Sequence, residues 1–292
     1  MDIYYVDCVN NTLLKTSDNN FLCHSFSNIP FRIQKITLSP NNERSKNIIQ
    51  TAKSRLSSIQ FNSASSSGVA RDEIEIKLKS FCGLIIEQLC FSMLTHYNKN
   101  PNVVIELDSG NNSIDQIDLK IHKKWLQHGS DDYKSLTKTV EIRSSFPFKS
   151  IEKVVSQDFD ILGGYKNDIK KGEIEKDFYL RFLFALDYKS DYYVKENGKI
   201  HYGKTTTKTL KECYFDNDLN LKRELVIFFI GGATNAMMLD ESIAYLGSMT
   251  SSNFNINQNA EFKKIKVRNG LDCIAIMQMM LNVITTEASQ GK

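Results

Sequence analysis

Apolar residues recur at helical spacing in two stretches of the first hundred residues. Around 41–58, Ile48, Ile49, Ala52, Leu56 and Ile59 fall on one face and predict an amphipathic helix. Over 70–97, Ile74, Leu78, Phe81, Ile85 and Leu89 step by four, three, four and four, again one helix face. This second stretch starts polar and ends apolar, so its second half is expected to be buried. Asn-Lys-Asn-Pro at 98–101 stops it. The Ser-rich run QFNSASSSG (60–68) has no apolar periodicity and reads as a loop.

Beyond residue 100 the pattern changes to strands. VVIEL (103–107) and SIDQIDLKI (113–121) flank Gly-Asn-Asn, which predicts a hairpin. KTVEIRS (138–144) is a further strand. DFYLRFLFALD (177–187) and LVIFFI (225–230) read as buried strands from their continuous apolar and aromatic content. Gly231-Gly232 is expected to turn the chain into a helix over 233–246. A strand (262–267) and a helix (270–285) close the sequence, and residues 1–35 read as short strands and turns. This order predicts an α/β (α+β) fold, a central mixed β-sheet flanked by helices. Residues 1–68 form an N-terminal region, and 69–292 one continuous core with a C-terminal elaboration.

Composition narrows the class without choosing a function. Hydrophobic residues make up 41% and charged residues 24% of 292, values of an ordinary globular protein. No uninterrupted apolar run of about 18 residues suggests a membrane span. The N-terminus lacks the basic start and apolar stretch of a signal peptide, so a cytoplasmic location is expected. Four prolines and abundant Asn and Lys suggest an AT-rich, bacterial genome. Six cysteines without C-x-x-C spacing read as reduced core residues. The net charge of +3 neither demands nor excludes nucleic acid, since one cleft can be basic in a balanced chain.

The candidate chemistry lies in IDQIDLKI followed by KTVEIRSSF. Asp118 falls on one predicted strand and Glu141 on a later one. In a strand, positions i and i+2 share a face, so Glu141 and Arg143 project together and Ile142 away from them. Phosphodiester hydrolysis uses such a set. Two carboxylates hold a divalent metal, the metal activates water and polarises the phosphoryl oxygen, and a cation steadies the developing charge. The Ile142 carbonyl is a candidate further ligand.

These residues resemble the PD-(D/E)-x-K nuclease superfamily, in particular its type II restriction endonucleases, best over residues 70–145. In that family a helix bearing a glutamate precedes a strand with a metal-binding aspartate. A strand with acidic-x-basic, often followed by two serines, comes next. Gly83-Leu-Ile-Ile-Glu87, Asp118 and Glu141-Ile142-Arg143-Ser144-Ser145 match in that order. The resemblance implies a restriction-endonuclease-like core and an Mg²⁺-dependent, sequence-specific double-strand DNA endonuclease. Catalytic roles go to Asp118, Glu141, Arg143 and Glu87, and metal ligation to Asp118, Glu141 and Ile142. Arg71, Lys77, Lys120, Ser144 and Ser145 become candidate DNA contacts. It further implies a homodimer, with residues 1–68 helping to embrace DNA or to dimerise, and a companion DNA methyltransferase in the genome.

The chain departs from the pattern at Arg143, where the family usually has Lys. Arg stays charged and cannot serve as a base. A non-catalytic DNA-binding protein with a relic nuclease fold, and a nuclease for RNA, branched or modified DNA, therefore stay open. So does a second assignment, in which Asp118-Leu119-Lys120 is the D-x-K triplet with Glu106 or Asp108 upstream. Taken singly, Glu141 and Arg143 read as a solvated strand face and Glu87 as a salt-bridged helix residue.

Other features invite plainer readings. Gly231-Gly232-Ala-Thr lacks the pattern of a phosphate loop. The five histidines, His24, His96, His122, His128 and His201, show no metal-ligand spacing. His122 reads as a surface residue, with DNA contact as the alternative. Met237, Met238, Met277, Met279 and Met280 read as core filling. KIHYGKTTTKTLK (199–211) suits either phosphate contact or an exposed edge strand. A buried Arg181 would need a carboxylate or carbonyl partner.

Overall fold

The periodic stretches become the elements that carry the core. A computed structural model describes residues 2–7, 12–15, 31–57, 72–107, 118–151, 154, 160–165, 175–248 and 261–286. The chain opens with β1 (Asp2–Asp7), β2 (Thr12–Lys15), β3 (Phe31–Leu38), α1 (Glu43–Leu56) and α2 (Glu73–Tyr97). There follow β4 (Val103–Leu107), β5 (Leu119–Lys123), α3 (Asp131–Leu136), β6 (Lys138–Ser145), β7 (Asp160–Tyr165) and β8 (Phe178–Ala185). After β9 (Lys195–Glu196) and β10 (Lys199–Ile200) come α4 (Tyr202–Thr209), β11 (Leu225–Thr234) and α5 (Asn235–Leu239). The last elements are β12 (Ala244–Ser248), β13 (Glu261–Lys266), β14 (Leu271–Asp272) and α6 (Cys273–Thr286).

The main sheet runs β2-β1-β3-β11-β8-β6-β5-β4, with β14 added on β11. Its pairings are antiparallel except β6 with β8, which makes it the expected mixed sheet. β3 from the first region is hydrogen-bonded to β11, with Ile36 opposite Ile227. A smaller antiparallel sheet is ordered β12-β13-β7.

Helices α1, α2 and α6 cover one face of the main sheet. Leu78, Phe81, Ile85 and Leu89 of α2 are buried there with Ile48, Ile49, Ala52 and Leu56 of α1 and with Leu180, Phe182 and Phe229 from β8 and β11. Both helices begin on side-chain caps, since Asn42 and Asp72 accept from the backbone N–H groups of Ser45 and Glu75. The other face packs on the small sheet through Tyr179, Leu183, Ile161, Ile265 and Met238. α2 has the length and apolarity to cross a membrane by composition. Yet 56% of its most apolar window is buried inside the fold, the setting of a core helix.

Several expectations need correction. Ile74 continues the apolar stripe in sequence but is 51% exposed, because it lies in the first turn of α2 beside exposed Asp72 and Glu73. Gly231-Gly232 does not end its strand. β11 passes through a bulge between Phe229 and Gly231 and continues to Thr234. The helix that follows is only five residues long, a turn comes next, and β12 begins at Ala244, inside the stretch read as helical. The glycines instead admit a neighbour: a Cβ on Gly231 would lie 2.1 Å from the Leu271 carbonyl oxygen of β14. The 199–211 segment is a two-residue strand followed by α4, in which Thr205, Thr206, Thr207 and Thr209 are buried. Met238, Met277 and Met280 fill the core, while Met279 is 40% exposed. Cys82, Cys90, Cys213 and Cys273 are free thiols, and the Ser-rich loop lies outside the described residues.

Gly231 combines a backbone φ of +138° with that close approach. Gly231→Ala is expected to cost about 2 kcal/mol or more, from a conformation L-residues avoid and from displacement of β14. Urea denaturation with an unchanged m-value measures it.

Candidate functional site

Asp118 stands one residue before β5. Its backbone N–H donates to the Val140 carbonyl, 3.0 Å, and extends the ladder of β5 with β6 by one rung. Two residues further along β6, the Ile142 N–H donates to the Asp118 carboxylate Oδ2. A strand residue presents its N–H and C=O to the same neighbour, so the Ile142 carbonyl opens on the Asp118 side as well.

The parallel pairing of β6 with β8 sets which side chains point where. Glu141, Arg143 and Ser145 lie in register with Tyr179, Arg181 and Leu183. Tyr179 and Leu183 belong to the core against the small sheet, and Ile142 packs on the helical side. Arg143 Nη2 pairs with Glu141 Oε1 at 2.9 Å, both largely buried. The Arg143 guanidinium also lies 5.7 Å from the ring centre of Phe262 on β13. Glu87 approaches from α2, across the helical face, and pairs with Arg55 of α1 at 2.8 Å.

The three carboxylates feel one another. Burial, then the charges of Glu87 and Glu141, raise the Asp118 carboxyl well above the usual range. The Ile142 hydrogen bond and the Arg143 charge work against that rise. The buried Cys90 thiol on α2 is likewise pushed up, by burial first and then by Asp118 and Glu87. Arg181 is the next cation along. Burial and Arg143 pull it down to about 9, and Asp160 opposes them. Its Nη2 donates to Ser145 Oγ at 2.8 Å, so the partner of this buried arginine includes a hydroxyl. Asp160 in turn accepts from Tyr245 and pairs with Lys264 at 3.3 Å.

The sequence-predicted residues thus divide. Glu87, Asp118, Glu141, Ile142 and Arg143 come together, with Ser145 alongside through Arg181. Ser144 is half-buried on the opposite face of β6 from Ser145. Lys120 sits opposite Glu106 and Thr139 in register. Lys77 is exposed on α2, ten residues or about 15 Å of helix before Glu87. Arg71 and Asp108 lie outside the described residues. Sequence reasoning missed Arg55, because nothing in its spacing links it to a glutamate on another helix. It also missed Asp160, whose charge acts on Arg181 from the small sheet, and Lys264, which pairs with Asp160. His122 was misread: it is buried at 3% exposure, since its alternation with Leu119 and Ile121 is broken and both Ile121 and His122 face protein.

Comparison with known proteins adds little. No family model matches the sequence, and no solved structure matches it. An uncharacterized protein of Methanocaldococcus jannaschii is 32% identical over 177 residues, which are 58% of this chain. The chain spans 60% of the length of that protein.

The raised Asp118 carboxyl carries a pH signature. The folded chain holds this proton more tightly than the unfolded one. Asp118 therefore costs stability increasingly as pH rises from the ordinary carboxylate value, near 3.9, through its raised folded value. In EDTA at pH 7 the isosteric Asp118→Asn is expected to melt several degrees higher than the parent. That gap should close as pH falls toward 4, which thermal melts across a pH series would show.

Proposed function

We propose that this chain is a divalent-metal-dependent DNA endonuclease of the PD-(D/E)-x-K kind. The observation that carries the reading is that Glu87 and Glu141 both act on the Asp118 carboxyl, which the Ile142 N–H holds, with Arg143 held on Glu141. A glutamate on a helix, an aspartate at a strand entrance and acidic-x-basic on the next strand come in the order the resemblance requires. In the proposal the core is restriction-endonuclease-like, and the protein works in the cytoplasm as a homodimer on duplex DNA. A companion methyltransferase protects the host sites.

The donor set fits a hard cation. Carboxylates and a backbone carbonyl are all oxygen ligands, and mutual repulsion of buried acids is relieved by a bound positive charge. Asp118, Glu141 and the Ile142 carbonyl would hold Mg²⁺. When bound, that ion polarises a phosphoryl oxygen and makes water acidic enough to attack. Arg143 keeps its charge and is held in place by Glu141, so its part is to stabilise negative charge building on the phosphate. Arg181 limits where Arg143 can swing, since the two guanidinium-bearing residues are neighbours in register. Glu87, anchored by Arg55, adjusts the field at Asp118 from the helix side.

A second reading has one observation in its favour. Glu87 and Glu141 each have an arginine partner, so part of the acidic charge is balanced within the protein. A DNA-binding protein that no longer cuts would retain such pairs.

Incubation of the chain with unmethylated phage DNA, in Mg²⁺ or EDTA, separates the readings. Discrete fragments are expected that need Mg²⁺ and are lost in Asp118→Ala and Glu141→Ala. Arg143→Ala should slow cleavage by about 10²–10³-fold, the usual cost of removing one transition-state donor. Intact DNA in every lane, with a gel shift, would sink the nuclease reading in favour of binding alone. Cutting of RNA or branched DNA instead would keep the site and change the substrate.

A further inference from the structure

A second cluster lies in the β4–β5 hairpin and the connection that follows it. His122 Nε2 on β5 and His128 Nε2 after it each stand 3.3 Å from Glu106 Oε1 on β4. The three ligand atoms lie within 4.8 Å of one another. These distances have a meaning for metal binding. Ligands at about 2.0–2.1 Å from a tetrahedral zinc are separated by about 3.3 Å along each edge.

The imidazole of His122 is prepared for that role. Its Nδ1 lies 3.0 Å from the Lys123 carbonyl oxygen, which can only accept, so Nδ1 carries the hydrogen. In the neutral imidazole Nε2 then keeps a lone pair, 3.3 Å from a carboxylate oxygen but not aimed straight at it. This buried nitrogen makes no hydrogen bond among the described residues. Two acceptors this close repel, and a cation that both can reach turns the repulsion into bonding. The carboxylate is oriented too, because Tyr133 Oη donates to Glu106 Oε2 at 3.3 Å. The Tyr133 ring also lies against His128, tilted by 37° with ring centres 4.4 Å apart. A backbone carbonyl behind a ligating histidine and a hydroxyl behind a ligating carboxylate are the outer contacts that metal sites use.

We propose that Glu106, His122 and His128 bind a zinc-class divalent cation, with the fourth position open to water. Two imidazoles and one carboxylate favour a borderline transition metal over Mg²⁺. The ion fastens three elements: β4, β5 and the segment that leads through α3 into β6. It is separate from the carboxylates around Asp118 and does not depend on the nuclease reading.

The test uses the full chain, stripped with EDTA and dialysed, in millimolar Mg²⁺ to occupy the all-oxygen site. Calorimetric titration with Zn²⁺ is expected to show one equivalent bound, with a rise in Tm. Co²⁺ in its place should give the visible absorption of a tetrahedral site. Glu106→Gln and His128→Ala should each weaken binding by tenfold or more, and Tyr133→Phe by about tenfold. His128 is 65% exposed, so its variant should fold even where a His122 variant does not. Asp118→Ala should bind zinc as the parent does. Absence of saturable binding overturns the site, as does zinc affinity unchanged in both ligand variants or lost in Asp118→Ala.

Discussion

The hydrogen bond from the Ile142 backbone to the Asp118 carboxylate ties the entrance of β5 to β6, and negative charge is crowded around it. A carboxylate in this place must be taken out of water, brought near two others and still held in one orientation. The fold meets these demands with different elements. β6 gives a backbone donor, α2 brings Glu87 against the same spot, and arginines from α1 and β6 offset part of the charge. The extensive apolar packing of α2 on the sheet is what keeps Glu87 from retreating to solvent. The site is thus expensive for folding and rigid for the same reason, which suits groups that must keep their geometry while charge changes around them.

Much of the main sheet was legible because it obeys simple periodicities. α1, α2, β6, β8 and β13 fall where spacing or apolar runs place them; β4 pairs antiparallel with β5 as expected, while the predicted turn at 110–112 lies outside the described residues. The failures have local causes. Gly231-Gly232 reads as a turn because glycine is the usual turn residue, yet here it makes room for β14, a contact with no trace in neighbouring residues. The buried threonines of α4 look polar in sequence, but their hydroxyls bond to backbone carbonyls, to a backbone N–H or to another side chain. Thr207 and Thr209, for example, bond back to carbonyls one turn earlier. Around the candidate site, Glu141 and Arg143 were legible because i and i+2 share a strand face. Arg55 and Asp160 were not, because only the tertiary fold brings them near. His122 and His128 escaped for a related reason: their pairing runs through Glu106, across a strand.

The two polar clusters divide the meander formed by β4, β5 and β6 between them. Asp118 marks the entrance of β5, and His122 lies close to its exit. Asp118 works with β6 and α2, His122 with β4 and the following connection. Because the same short strand carries both, a change in the way β5 lies against its neighbours is felt at both ends. Lys120, between them, lies opposite Glu106 in register.

The position of β3 beside β11 has a consequence for how this protein is made. Ile36 finds its partner Ile227 only about 190 residues later in the chain. At a synthesis rate of about 5–20 residues per second, the first three strands wait roughly 10–40 s on the ribosome before their neighbour emerges. During that interval β3 is a sheet edge whose Ile33, Ile36 and Leu38, buried in the finished protein, have nothing from β11 to cover them. The meander, by contrast, can close as soon as it is made. The strands of the meander are thus complete well before the strand that covers β3 is made.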